Sequence, residues 1–195
     1  MISLPNSFKK LLNLFKANNM KGCLEVIGGM SVEEVNTPVD GEGTSLLMKG
    51  IESNQLDLVD CLLLNGADVS LVTAGGKSAI KLACDCKDLS MLRLIFKYCS
   101  TEKVPFAIFD LLSSSATDEI ILEILCGVER SFFDVIKDHF TVLHLCIERR
   151  RVSVLKAFVS MNLSHLFLIN DASGWNALQF AEMQANNSAL GVKSG

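Results

Sequence analysis

Only three prolines interrupt the 195 residues, and charged residues make up 21%, so the chain reads as globular rather than disordered. Positive charge is not in excess. A net charge of -4 and a pI near 5.4 argue against general binding to nucleic acid or an anionic membrane, leaving room for a local basic patch. No stretch approaches the ~18 uninterrupted apolar residues that a membrane-spanning helix needs. The opening MISLPNSFKKLLNLFK lacks the charged region, unbroken apolar core and small-residue cleavage site of a secretory leader. Seven cysteines are an odd number, and their spacing suggests no disulfide framework. A reducing compartment is therefore expected, cytoplasmic or nuclear. No G-x-S-x-G elbow, Walker loop, H-E-x-x-H or C-x-x-C occurs, so the sequence offers no catalytic constellation and implies no enzyme and no cofactor.

What the chain does have is apolar content, 49%, arranged with a period. Aligning Leu12, Leu47, Ile80, Phe109, Leu143 and Leu178 gives spacings of 35, 33, 29, 34 and 35 residues. Periods of this size indicate stacked supersecondary units, each hiding one face against its neighbours. The clearest unit runs from Asp40. Asp40-Gly41-Glu42-Gly43 reads as a turn, and Ser45 offers a hydroxyl to the free amides of a first helix. Ser53-Asn54 breaks that helix, a second apolar run follows (Leu56, Leu58, Val59, Leu62, Leu63), and Gly66 is placed for a left-handed cap.

Other units repeat parts of this pattern. Gly76, Ser78, Ile80 and Ala83 precede the run Leu92, Ile95, Phe96. Thr141 to Cys146 reads T-V-L-H-L-C, and Asn170 to Gly174 is followed by Ala177, Leu178 and Ala181. The segment near Pro105 is degenerate, with proline where the turn glycine should be, yet Ile120, Ile121, Ile124 and Leu125 restore a second helix. At the start, Phe8, Leu11, Leu12 and Phe15 recur at helical spacing before Leu24, Val26 and Ile27.

These motifs resemble the ankyrin family, whose pattern is a D-x-x-G turn, a T-P-L-H-x-A first helix and a second helix ending near G-A-D. The resemblance covers nearly the whole chain. It implies an all-α ankyrin-repeat solenoid of stacked helix-turn-helix units with finger loops, one array over 1–195. Its units fall at approximately 6–39, 40–72, 73–101, 102–135, 136–170 and 171–195. The 29-residue spacing implies a shortened finger between Cys99 and Pro105. Ala185 to Gly195 begins where a second helix is expected and stops before its leucines, pointing to a frayed cap or a fragment of a longer protein.

The resemblance makes His144 structural, bonded to the threonine of its motif and to neighbouring backbone. A metal site from His139, His144 and Glu148 would lack a fourth ligand. Cys84 and Cys146 take small core places, whereas Cys86 falls at the exposed end of a first helix. Arg149-Arg150-Arg151 reads as a solvated turn or, alternatively, as a contact for carboxylate or phosphate.

By the same resemblance, a protein partner would meet the finger tips and the ends of the first helices. Those places are Glu42, Thr44, Glu52 and Ser53; Lys77 and Asp85; Lys103 and Phe106; Asp138, Phe140, Glu148 and Arg149; and Ser173, Trp175 and Gln184. Phe106, Phe140 and Trp175 share the place after the turn glycine, which predicts an aromatic ridge unless irregular turns fold the rings inward. The implied role is a non-enzymatic interaction module, a monomer binding another protein through a concave groove. The alternative is a regulatory or targeting segment of a larger enzyme, ubiquitin-ligase adaptor, channel or effector.

Overall fold

Short helices connected by tight turns dominate the chain. The computed structural model describes residues 6–189, apart from 18, 87, 135, 138 and 139. These form two compact units, residues 1–100 and 101–195.

In the first unit, helices come in antiparallel-sized pairs: α1 (Asn6–Lys16) with α2 (Met20–Ile27), α4 (Leu46–Glu52) with α5 (Leu56–Leu64), and α6 (Ala79–Cys86) with α7 (Leu89–Tyr98). The short α3 (Val32–Val35) lies between the first two pairs. First helices pack on first helices (α4 on α6) and second on second (α2 on α5, α5 on α7). Leu47, Ile51, Leu62, Ile80, Leu92 and Ile95 are buried as a result, each side chain contributing about 1.5–3 kcal/mol. Gly50 lets α4 and α5 approach closely, since a Cβ there would sit 3.0 Å from Val59 Cγ2.

The second unit repeats the arrangement with α8 (Val104–Ser113) and α9 (Asp118–Leu125), α10 (Val142–Glu148) and α11 (Val152–Ser160), then a single helix, α12 (Ala177–Ala189). Its core gathers Ile108, Leu111, Leu112, Ile121, Leu143, Val154 and Leu166 around an edge-to-face pair, Phe133 and Phe158, 5.1 Å apart.

Helix starts follow the capping chemistry of the sequence. Ser45 Oγ accepts from the Met48 amide at 3.3 Å, Ser78 Oγ from Lys81 at 3.3 Å, and Asn176 Oδ1 from Gln179 at 3.0 Å. Gly66 ends the α5 turn at φ 83°, as its place after Asn65 predicts.

Between pairs the chain makes β-hairpin fingers: finger 1 around Asp40–Gly43, finger 2 bridged at Val72 and Ser78, finger 3 formed by β1 (Ile136–Lys137) and β2 (Phe140–Thr141), and finger 4 bridged at Asn170 and Asn176. Only five residues, 99–103, separate α7 from α8, where a shortened finger was expected; no hairpin is formed there.

Two expectations change. Pro105 does not occupy a turn; it sits in the first turn of α8, where its missing amide hydrogen leaves no intrahelical bond unmade. Nor does a second helix start near Ala185. α12 runs unbroken for 13 residues, against 7 in α4 and 8 in α6. Nothing between Gln184 and Ser188 matches the Ser-Asn break that ends α4, and alanine there favours continuation.

Candidate interaction surface

Three of the fingers are held by hydrogen bonds within their turns. In finger 1, Asp40 Oδ1 accepts from the amides of Glu42 (3.1 Å) and Thr44 (3.0 Å), and Gly43 takes φ 81°. These bonds hold the Asp40 carboxyl below its usual pKa, the Thr44 backbone bond being the largest cause. Finger 4 is built alike: Asp171 Oδ1 accepts from Ser173 (2.8 Å) and Trp175 (2.9 Å), with Gly174 at φ 83°. Finger 2 uses Thr73 instead, its hydroxyl oxygen accepting from the Lys77 amide at 3.2 Å.

Adjacent parts are tied together across one repeat length. In the first unit the Ala74 amide donates to the Glu42 carbonyl at 2.8 Å, joining finger 2 to finger 1. Asn36 donates through Nδ2 to the carbonyls of Val32 and Gly66 and accepts at Oδ1 from the Asp68 amide. In the second unit the buried His144 lies 2.7 Å from Thr141 Oγ1 through Nδ1 and 2.9 Å from the Trp175 carbonyl through Nε2. A carbonyl only accepts, so Nε2 carries the proton and Nδ1 receives the threonine hydroxyl.

A solved crystal structure described as EF0377, an ankyrin repeat protein, superposes on this chain with a TM-score of 0.61. It covers 98% of both chains at 17% sequence identity. The fold is the ankyrin-repeat fold. No protein-family profile matches the sequence, and neither does any curated protein. At this identity the likeness speaks for the all-α repeat architecture and for nothing finer.

Within the ankyrin fingers and helices, the residues singled out in the sequence separate by exposure. Glu42, Lys77, Asp85 and Ser173 are exposed; Lys103 and Gln184 are half-buried. Glu52 is exposed and paired with Lys49 at 3.0 Å, and Arg149 lies 3.9 Å from Glu148. Ser53 turns its hydroxyl onto the carbonyls of Lys49 and Gly50, closing α4. Asp138 and His139 lie outside the described residues.

Thr44 does not offer a contact surface: it is 7% exposed, held into finger 1 by its amide bond to Asp40. The aromatic ridge is also corrected. Phe140 is half-buried, with its ring edge-to-face on Phe180 at 5.6 Å and near His144 at 6.2 Å, so it packs inward. Phe106, on the first turn of α8, stays 45% exposed, and Trp175, at the end of finger 4, stays 42% exposed. The Trp175 backbone is fixed at both ends, its amide on Asp171 and its carbonyl on Asp171 N–H and His144.

The arginine triplet divides as well. Arg149 and Arg150 face solvent, the latter at φ 56°. Arg151 is neither a solvated turn nor an anion site. Its guanidinium donates to the carbonyls of Leu112 (2.9 Å), Ala116 (2.7 Å) and Ser114 (2.6 Å) and to Asp118 Oδ1 (3.2 Å). It clamps the α8–α9 connection against the start of α11, a role that no local pattern announces.

The three thiols that the sequence singles out are shielded. Burial pushes the Cys146 thiol far up, despite Arg151, and the Cys84 side chain is buried too. Burial, then the carboxylates of Asp85, Asp88 and Glu52, also raise Cys86, whose Sγ lies 3.4 Å from the Ile51 carbonyl. Among the described residues no group of three or more His, Cys, Asp or Glu side chains is placed to hold a metal, and both His144 nitrogens are already engaged.

Proposed function

We propose that this chain is a non-enzymatic protein-interaction module whose second unit meets a protein partner through Trp175 and Phe106. The observation that carries the reading is the half-exposed indole of Trp175, a residue whose own amide and carbonyl are both hydrogen-bonded. Exposed aromatic side chains on rigid supports lose little conformational entropy on binding and dominate interface energies. Ser173, two residues before Trp175 on finger 4, and Arg149, at the end of α10, would supply polar contacts to the same partner. In the first unit, Glu42, Glu52, Lys77 and Asp85 are peripheral contacts that tune specificity more than affinity. No helix among the described residues is long and apolar enough to cross a membrane.

The single tryptophan makes this testable directly. Partner isolated by affinity capture from native extract should shift the Trp175 emission to shorter wavelength on titration. Trp175→Ala and Phe106→Ala should each weaken binding by about 2 kcal/mol or more, as interface anchors do. Lys156→Ala, on α11, should leave binding unchanged. Capture that survives both aromatic substitutions, with helical content intact, would remove this surface from consideration.

A further inference from the structure

A second helix in this fold rests on two others. α5 packs on α4, the first helix of its own pair, and on α2, the second helix before it. α11 packs in the same way on α10 and α9. The last unit offers the same two supports, α12 and α11, but among the described residues no second helix lies on them.

Register identifies the side chains that this leaves bare. The amides of Met161, Asn162 and Leu163 donate to the carbonyls of Ala157, Val159 and Phe158, as those of Asn65, Gly66 and Ala67 donate to Cys61, Leu63 and Leu62. Val159 therefore stands at the place of Leu63, and Leu155 at that of Val59. In α5, on which α7 packs, Leu63 is 6% exposed and Val59 is buried. In α11, Val159 is 56% exposed and Leu155 half-buried. Val152, Leu155 and Val159 fall at i, i+3 and i+7, a single apolar stripe. On α12, Leu178 is exposed where Leu47 of α4 is buried.

The slot suits one helix rather than another full unit. Asn176 caps α12 as Ser45 caps α4, so Gln179 and Glu182 take the places of Met48 and Ile51. Met48 and Ile51 are fully buried; Gln179 and Glu182 are exposed. That face of α12 is polar, as the outer face of a stack must be, while the stripe on α11 stays apolar. Charge then selects the occupant. The chain as a whole is acidic, yet Arg149 to Asn170 contains no Asp or Glu. Arg149, Arg150 and Lys156 in that stretch are exposed. A second copy laid α11 to α11 would set these cations against one another.

We infer that the stripe of α11, with Leu178 of α12, is a docking groove for an acidic amphipathic helix of another protein, seated as α11 itself sits on α9. Its apolar face covers Val152, Leu155 and Val159, and its carboxylates meet Lys156 and the arginines. This groove uses neither Trp175 nor Phe106.

The probe is an 18-residue synthetic peptide of leucine, alanine and glutamate, with leucines at i, i+3, i+4, i+7 and i+11. It is titrated into the full chain, labelled at its valine and leucine methyls. The methyls of Val152, Leu155, Val159 and Leu178 should shift, and those of Leu47 and Leu63 should stay in place. A scrambled twin of the same composition should shift none of them. A twin with lysine for glutamate should bind about tenfold more weakly at low salt. Val159→Asp, at an exposed place, should keep its helical circular dichroism and weaken the peptide by about tenfold or more. Trp175→Ala should bind the peptide unchanged, separating this groove from the aromatic surface. Unmoved Val159 methyls, or undiminished binding by Val159→Asp, would overturn the proposal. So would contacts from residues 190–195 to Val159 in the free chain, or a dimer that Val159→Asp dissociates.

Discussion

Arg151 concentrates four acceptors on one guanidinium, with its side chain 12% exposed. Its removal leaves the carbonyls of Leu112, Ser114 and Ala116 without this donor and the Asp118 carboxylate with only the Ser153 amide, and each unpaired buried group costs about 1–3 kcal/mol. Partial access of water to the loop reduces that sum, so Arg151→Ala should destabilise the chain by about 2–4 kcal/mol, measured as a lowered urea midpoint. Arg151→Lys should recover less than half. An ammonium is a point donor and cannot span carbonyls that a planar fork reaches together. Arg149→Ala, one turn residue away and half-exposed, should change stability by no more than about 0.5 kcal/mol. Equal effects at 149 and 151 would contradict the clamp.

At the scale of the element, two glycines separate backbone strain from packing. Gly66 and Gly76 both adopt positive φ, 83° and 70°. A Cβ at Gly66 meets the Val32 methyls at 3.2 and 3.3 Å, whereas at Gly76 it meets nothing. Left-handed backbone costs an L-residue about 1–2 kcal/mol, so Gly76→Ala should show that alone and Gly66→Ala about 1 kcal/mol more, by thermal or urea unfolding. Elements of this kind were readable from the chain itself. The Ser45 cap, the Gly66 turn and the His144–Thr141 pair depend on residues within a few positions of one another. Arg151 and Phe140 were not, since their surroundings come from residues more than 30 positions away: Leu112, Ala116 and Asp118 for one, Phe180 for the other. Pro105 was misplaced for a related reason. Proline suits a turn and a first helical turn equally, and only the five-residue approach from α7 decides between them.

Across the whole molecule, sequence register and burial agree until the last unit. Leu47, Ile80, Phe109 and Leu143 share one place in the repeat and are all 5% exposed or less; Leu178 shares it and is 59% exposed. Periodicity alone cannot reveal this, because it reports what a residue would face in a complete unit and not whether that face is covered. α12 packs on α10 through Ala177 and Phe180 but has no second helix of its own among the described residues. The same substitution at equivalent places should therefore have unequal consequences. Leu143→Asp puts a carboxylate into a site with no water and no cation, and should cost more than about 4 kcal/mol or abolish folding. Leu178→Asp places the same group in solvent and should cost less than about 1 kcal/mol, with helical circular dichroism retained. A large loss at Leu178 would mean that something covers it in solution, and sedimentation of the unsubstituted protein would then show whether that cover is a second copy.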